Sequence, residues 1–112
     1  MTQDNFLDKV EVRKEYYPSG ALRLETPYVD GEEYGIRKEY YESGVLWSEI
    51  PYVYGKVHGI VKHYYESGAL RIEAPYVNGE EHGIMKAYNE DKTSIVCLAL
   101  YDKDREVVYK KI

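Results

Sequence analysis

The chain has 112 residues, which is the usual size of one domain. Hydrophobic residues make up 44% and charged residues 31%, so the composition predicts a folded chain, and no apolar run approaches the ~20 residues of a membrane-spanning helix. Twenty Asp and Glu against fifteen Lys and Arg give a net charge of −5, which argues against nucleic acid and membrane as direct partners and favours a protein with a basic surface.

Cysteine usage and the N-terminus together predict a compartment. Cys97 is the one cysteine and has no partner for a disulfide within the chain. The segment from Met1 to Phe6 has neither the basic start nor the apolar core of a signal peptide. We therefore expect the reducing cytoplasm. The fourteen tyrosines, beside one Phe and one Trp, form a bias that needs a structural reason.

The tyrosines belong to a repeat of 24 residues. One unit reads Tyr-Tyr-x-Ser-Gly-x-Leu-x-x-Glu-x-Pro-Tyr-Val-x-Gly-x-x-x-Gly-Ile-x-Lys. Each unit begins with a pair of tyrosines, and the three pairs are Tyr16-Tyr17, Tyr40-Tyr41 and Tyr64-Tyr65. A fixed period of this length predicts stacked supersecondary units, each unable to bury its apolar face alone.

Each unit contains two turn signals between segments of β-forming residues. The first is a short Gly-containing turn such as Pro18-Ser19-Gly20, and the second is a two-residue turn such as Asp30-Gly31. No segment has a sustained apolar period of 3.6 residues. We therefore predict an all-β fold, an elongated single antiparallel β-meander of 24-residue, two-strand repeats with a C-terminal capping hairpin.

The predicted boundaries define one domain over residues 1–112. Residues 1–9 form an N-terminal tail or cap, residues 10–88 hold the repeats, and residues 89–112 form the capping hairpin. The fourth unit departs from the pattern after Tyr88, where the turn loses its Gly. The hairpin is expected to close the edge of the sheet or to fold over its apolar face.

Strict alternation along the strands predicts which residues share a face. It places Leu22 with Leu24 on an apolar core face, and it places Trp47 on the opposite face. The repeated proline, as in Pro27, cannot donate a ladder hydrogen bond and should mark a bulge or a strand end.

The unit resembles the MORN repeat, in the bacterial variant that reads Tyr-Tyr-x-x-Gly-x-Leu followed by Tyr-x-x-Gly-x-x-x-Gly. The resemblance extends over residues 10–88. It implies an elongated antiparallel β-meander whose pattern residues make the fold. It also implies a binding role, because many short bacterial members are described as antitoxins of toxin–antitoxin pairs and others as interaction or scaffolding modules, without a catalytic signature.

A direct search for reactive constellations gives two weak candidates. His58 and His82 share a repeat position, but equivalent strands lie about 10 Å apart and the repeat supplies no third metal ligand. The other candidate is a ladder of carboxylates formed by Glu25, Glu49 and Glu73, which the repeat explains. Each is expected either to pair with a cross-strand Lys or Arg, for which Lys38, Lys62 and Lys86 are candidates, or to cap a neighbouring backbone group. We expect no enzyme, no metal and no cofactor.

With catalysis disfavoured, we expect the chain to act by binding a partner through its surface. In a repeat protein the residues that determine specificity are expected where the units differ. Trp47 replaces the Arg of the other units and Tyr54 replaces an Asp or Asn in a turn. Trp, Tyr and Arg are enriched in binding hot spots. The predicted partner-binding residues are Trp47, Tyr54, Arg23, Arg71, Tyr17, Tyr41 and Tyr65. The alternative for each is an aromatic and cation–π rib that stiffens a one-layer sheet.

The sequence thus predicts a non-enzymatic protein-binding module. Its expected role is that of an inhibitor or antitoxin-like neutraliser, which covers the surface of an effector, a toxin or a nuclease. Two alternatives stay open: a self-associating scaffold or interaction protein, with a homodimer among its forms, and an enzyme that uses the Glu ladder or the two equivalent histidines.

Overall fold

A computed structural model describes residues 9–91 and 94–112. Apart from Lys9, the predicted N-terminal tail lies outside the described residues, as does Lys92 of the predicted turn after Tyr88. The described residues form β-strands joined by turns and contain no α-helix, so they contain no helix that could span a membrane. The prediction of an all-β fold is confirmed.

The strands follow one another in a regular rhythm along the chain. Each repeat contributes strands of eight, two and six residues. The strands are β1 (Val10–Tyr16), β2 (Leu22–Val29), β3 (Glu32–Glu33), β4 (Gly35–Tyr40), β5 (Leu46–Val53), β6 (Lys56–Val57), β7 (Gly59–Tyr64), β8 (Leu70–Val77), β9 (Glu80–Glu81), β10 (Gly83–Tyr88), β11 (Ile95–Asp102) and β12 (Arg105–Lys111).

All twelve strands belong to one open antiparallel sheet. Nine of them form its path in the order β1-β2-β4-β5-β7-β8-β10-β11-β12, and the two-residue strands β3, β6 and β9 pair with the ends of β2, β5 and β8. Neighbours in the sheet are neighbours in sequence, which confirms the meander. The C-terminal hairpin extends the sheet at its edge, where β12 pairs with β11.

The two-residue turns explain the second glycine of each unit. In the pairs Asp30-Gly31, Tyr54-Gly55 and Asn78-Gly79, both residues have positive φ, which is the geometry of a type I′ hairpin turn. The turn between β11 and β12 has the same geometry without glycine, with φ of 50° at Lys103 and 68° at Asp104. The capping hairpin therefore repeats the turn of the units although its sequence has lost the signal.

A bulge in each repeat changes the predicted faces. Glu15 pairs with Leu24 but the next residue, Tyr16, pairs with Leu22, so Arg23 is an extra residue without a partner. Directly paired residues share a face, and consecutive residues on β1 point to opposite faces. Leu22 and Leu24 therefore lie on opposite faces, and the prediction that they share one is wrong.

The two faces of the sheet differ in character. The first, which we name the Leu24 face, holds most of the buried side chains, namely Leu24, Thr26, Ser48, Val61, Ala74 and Ala99. The second, which we name the Lys–Glu face, carries Leu22 and its counterparts, the first tyrosine of each pair, and the repeated Glu, Lys, Pro and Ile. The sheet measures 58 × 36 × 22 Å, so it is a long, thin layer.

The repeated proline interrupts the sheet on one side only. Pro27 pairs with Val12 of β1, whereas on its other side the ladder breaks between Glu25 and Tyr28 and the carbonyl of Pro27 accepts the Tyr34 N–H at 3.1 Å. The prediction of a bulge at this proline is confirmed. It lies on the partner segment between β3 and β4.

Candidate functional site

The extra residue of each bulge is directed onto the Leu24 face. Arg23 reaches Glu15, the partner of Leu24, at 2.9 Å. The Trp47 ring lies 5.8 Å from the ring of His63, which pairs with Ser48 on that face. The prediction that Trp47 lies opposite this face is therefore wrong, because strict alternation does not hold across a bulge.

Trp47 is the centre of a small cluster, which we name the aromatic cluster: Tyr41, Trp47, His63, Tyr65 and Arg71. The Tyr41 ring meets Trp47 edge-on at 6.4 Å, and the Arg71 guanidinium lies 5.6 Å from the centre of the Tyr65 ring. The Trp47 side of the cluster is open to solvent, since 38% of this residue is exposed. A partner could therefore bury its ring.

Ser48, the residue after Trp47, also distinguishes the central unit from the others. This residue is fully buried and pairs with His63, while its counterparts in the other units are Leu24 and Ile72. Ser is smaller than Leu or Ile, and beside it the rings of Trp47 and His63 approach to 5.8 Å. The central unit is therefore distinct at two adjacent positions, and only Trp47 of the two was recognisable from its residue type.

The surroundings of the cluster histidine disfavour its charged form. Burial lowers the pKa of His63, and the nearby positive charge of Arg71 lowers it further, while the carboxylate of Glu39 acts in the opposite direction. Its Nδ1 is buried without a hydrogen-bond partner among residues 9–91 and 94–112. His63 was not among the predicted binding residues, because nothing in the repeat pattern distinguishes it.

The second tyrosine of each pair joins one unit to the next. The hydroxyls of Tyr17, Tyr41 and Tyr65 donate to the carbonyl oxygens of Tyr40, Tyr64 and Tyr88 at 2.6–2.7 Å. These hydroxyls are therefore occupied within the fold. Tyr41 and Tyr65 present their rings to the aromatic cluster, while Tyr17 is one repeat away from it.

Tyr54 and Arg23, like Tyr17, lie outside the cluster. Tyr54 follows the far end of β5, about 23 Å along the strand from Trp47. It is 57% exposed and packs against the Tyr34 ring at 4.8 Å. Arg23 lies on the same face and is held by Glu15 of β1, but it is on the far side of Trp47 from Arg71 in the order of the strands. The structure brings together four of the seven predicted residues.

The histidines that share a repeat position have separate partners. His58 accepts the Asn78 backbone N–H at its Nδ1 at 3.2 Å, and the Nδ1 of His82 lies 3.3 Å from Asp102. Each contact joins a unit to the turn or strand of the next. In the described part of the chain, no group of three or more His, Cys, Asp or Glu side chains is arranged to hold a metal ion.

The carboxylate ladder is paired across the sheet. Glu25, Glu49 and Glu73 are directly opposite Lys38, Lys62 and Lys86 in the strand registers. The hydroxyl of Tyr64 donates to Glu49 at 2.5 Å, and that of Tyr88 donates to Glu73. Burial and this hydrogen bond raise the pKa of Tyr64 to about 12. The expected position of the lysines, across the strand from the ladder, is confirmed.

Comparison with protein families agrees with this geometry. The model of the MORN repeat variant matches residues 12–30, 33–54 and 57–78, which together make up more than half of the chain. Each match covers one eight-residue strand and the path strand before it, namely β1 with β2, β4 with β5, and β7 with β8. A search of curated proteins found no match. The repeat pattern, the meander and the family model together assign this chain to the MORN repeat variant family.

Proposed function

We propose that this chain is a non-enzymatic protein-binding module that uses the aromatic cluster to cover the surface of a protein partner. The observation that carries the proposal is the exposed Trp47, flanked by Tyr41 and His63 on an open sheet face. A partly exposed Trp among Tyr and Arg is the composition of a binding hot spot. A rigid sheet presents such a group at little cost in conformational entropy.

The charge of the chain favours one class of partner. A net charge of −5 repels phosphate backbones and attracts a basic protein surface. A basic surface is what a nuclease or another effector uses to reach its own anionic substrate. We therefore propose an antitoxin-like neutraliser, which would occupy that surface and exclude the substrate. Membership of the family supports the more general proposal, that the chain is a repeat-based interaction module.

The groups that could support catalysis are engaged elsewhere. The ladder carboxylates accept hydrogen bonds from Tyr64 and Tyr88 or lie opposite lysines. His58 and His82 bond to different segments of the chain. These contacts support a binding role over the enzymatic alternative.

The test is capture of the partner by the purified chain from the native cell, followed by measurement of the affinity for the partner identified. Trp47→Ala should weaken binding by about 2 kcal/mol, or roughly 30-fold in Kd, with little change in Tm. Tyr109→Ala is the matched control, because this tyrosine is 56% exposed on β12. It should leave the affinity unchanged.

Two results would contradict the proposal. If Trp47→Ala lowers Tm as much as a core substitution and leaves the affinity intact, the cluster only stiffens the sheet. If the captured partner is acidic, or if binding is insensitive to salt, the proposed charge attraction is wrong.

A further inference from the structure

A row of aliphatic side chains crosses the Lys–Glu face from one edge of the sheet to the other. Each path strand contributes one residue. Direct pairing sets Val12 beside Pro27, Ile36 beside Pro51, Ile60 beside Pro75, and Leu100 beside both Ile84 and Val108. In sheet order the row is Val12, Pro27, Ile36, Pro51, Ile60, Pro75, Ile84, Leu100 and Val108. The three isoleucines are 49–53% exposed, and Val12 and Val108 are 51% and 55% exposed. No described segment covers this row.

A second row runs parallel to it, two residues further along the strands. Its charges alternate in sign across seven strands: Lys14, Glu25, Lys38, Glu49, Lys62, Glu73 and Lys86. Lys14 and Glu25 approach to 3.9 Å. Neighbouring strands are about 4.8 Å apart, so the sign of the charge changes at every step of this length.

The row of alternating charges on one copy of the chain is complementary to the same row on a second copy when a two-fold axis relates them. A two-fold axis that is parallel to the strands and lies between β5 and β7 reverses the order of the strands in a second copy. Glu49 then faces the Lys62 position of the other copy, Lys38 faces the Glu73 position, and Glu25 faces the Lys86 position. Every charge in these contacts meets an opposite charge. A displacement by one strand would place Lys on Lys and Glu on Glu, at a cost in free energy.

The same operation fits the aliphatic rows together. It sets Ile60 over Pro51, Ile36 over Pro75 and Ile84 over Pro27 of the other copy. The surface has shallow depressions at two of these prolines: one of about 120 Å³ between Ile36 and Ile60, and one of about 80 Å³ between Ile60 and Ile84. Each depression would receive an isoleucine from the opposite sheet, as side chains interdigitate between packed sheets.

The area of the face suits a stable dimer. Nine path strands with a spacing of about 4.8 Å and a length of about seven residues give a face of roughly 900 Å² on each copy. Contact over two thirds of this face would bury about 1,200 Å² in total, which is within the range of specific interfaces. With the axis between β5 and β7, eight path strands of each copy face path strands of the other, and six ladder charges of each copy meet an opposite charge. No other position of the axis between two strands gives both.

We propose that two copies of this chain pack face to face through their Lys–Glu faces, about this two-fold axis. The aliphatic rows supply the affinity because they are removed from water. The charged rows supply the register, because charge pairs taken out of water contribute more to specificity than to affinity. The aromatic cluster lies on the other side of each sheet and remains open to a different partner.

The experiment measures the mass of the full chain in solution as a function of concentration, by sedimentation or light scattering. The wild-type chain should be a dimer that dissociates on dilution. Ile60→Asp should weaken self-association at least 30-fold, because it places a carboxylate in the aliphatic contact. Trp47→Ala should leave the dimer unchanged, so failure of this proposal and failure of the proposed partner binding are separate results.

A charge exchange tests the position of the axis. Glu49→Lys sets Lys against Lys62 of the other copy, and Lys62→Glu sets Glu against Glu49, so each variant alone should be a monomer. When the two variants are mixed, both contacts become Lys against Glu, and a one-to-one heterodimer should form. Glu66→Lys, in an exposed hairpin turn, is the control for a change of charge and should remain a dimer.

Because each exchange also sets like charges side by side within its own sheet, folding of each variant is checked by its circular dichroism and Tm. A wild-type chain that is monomeric at all concentrations would overturn the proposal. A wild-type dimer that survives Ile60→Asp, or folded single variants that do not recover in the mixture, would overturn the face or the axis.

Discussion

The extra residue of each bulge is the most informative single position in the chain. It recurs as Arg23, Trp47, Arg71 and Val96, and once more as Val107 of β12, and in each case the neighbouring strand pairs past it. A residue without a direct partner is free of the constraints of cross-strand pairing. The residue type varies here while the repeated Leu, Glu, Pro and Tyr of the same strand are kept, which is how a repeat scaffold can change its surface without changing its fold.

The tyrosine bias has a structural reason at this scale. The second tyrosine of each pair closes a hydrogen bond from unit to unit, and the hydroxyls of Tyr64 and Tyr88 donate to the carboxylate ladder. A phenol combines a large apolar ring with one hydroxyl that can be satisfied in a thin sheet, which Phe cannot do. The tyrosines are therefore chiefly part of the fold.

His63 predicts how stability depends on pH. Because its pKa in the folded chain lies below the ordinary value of about 6.5, the unfolded chain binds the proton more readily. Stability from this residue is present above pH 6.5 and is lost as the pH falls through the folded-state pKa. The Tm of the wild-type chain should fall between pH 7 and pH 5. The Tm of His63→Gln should fall less over the same range.

A thermal scan at several pH values measures both chains. His82→Gln is the control, since this histidine is half exposed. Equal pH slopes for the wild-type chain and His63→Gln would show that His63 does not carry the effect.

At the scale of the element, a contact between a proline and a glycine marks the point where the long strand of each repeat meets the start of the six-residue strand. Gly59 has φ of +124°, and a Cβ on it would lie 3.0 Å from the Cγ of Pro51. Gly83 and Pro75 repeat this contact. In the last hairpin Leu100 stands at the position of the repeated Pro and Val108 at the position of the repeated Gly. These two residues pair with each other, and β12 is seven residues long. Replacement of both members of the pair thus converts a two-residue strand into a full edge strand.

Gly59→Ala should destabilise the chain by about 3 kcal/mol, because an unfavourable backbone conformation and a steric clash add together. Gly31→Ala is the matched control. Its φ of +79° is also positive, but nothing lies within 4 Å of a new Cβ. It should cost about 1 kcal/mol. The free energies of unfolding in urea give both values. Equal losses at the two sites would show that the contact with proline is unimportant.

At the scale of the whole molecule, the chain is a single layer rather than a globule. Its Cα radius of gyration is 16.5 Å, against about 13 Å for a compact chain of this length. A one-layer sheet has two faces and two free edges, and each can recruit another molecule. The two proposals divide the faces between them: a different protein on the Leu24 face and a second copy on the Lys–Glu face.

Small-angle scattering should distinguish packing through faces from pairing through edges. A second sheet stacked about 10 Å away would raise the radius of gyration only slightly, to about 17 Å, although the mass doubles. Two sheets joined at their edges, with centres about 40 Å apart, would give about 26 Å. We expect the first value for the wild-type dimer and a value close to that of the single chain for Ile60→Asp. A value near 26 Å would indicate pairing through β1 or β12.

The sequence by itself determined the strands, their order and the turns, because these depend on local chemistry that recurs every 24 residues. Glycine marks the turns, alternating β-formers mark the strands, and short connections leave a meander as the simplest path. The family resemblance followed from the same residues.

Tertiary structure decided which face each residue occupies. One unpaired residue per repeat reverses the alternation, so Leu22 parts from Leu24 and Trp47 changes sides. A bulge is a property of two strands together, and a one-residue change in register moves every later side chain to the other face. The self-complementary rows likewise became visible only when the register placed Lys beside Glu across seven strands and Ile beside Pro in the pairs β4–β5 and β7–β8.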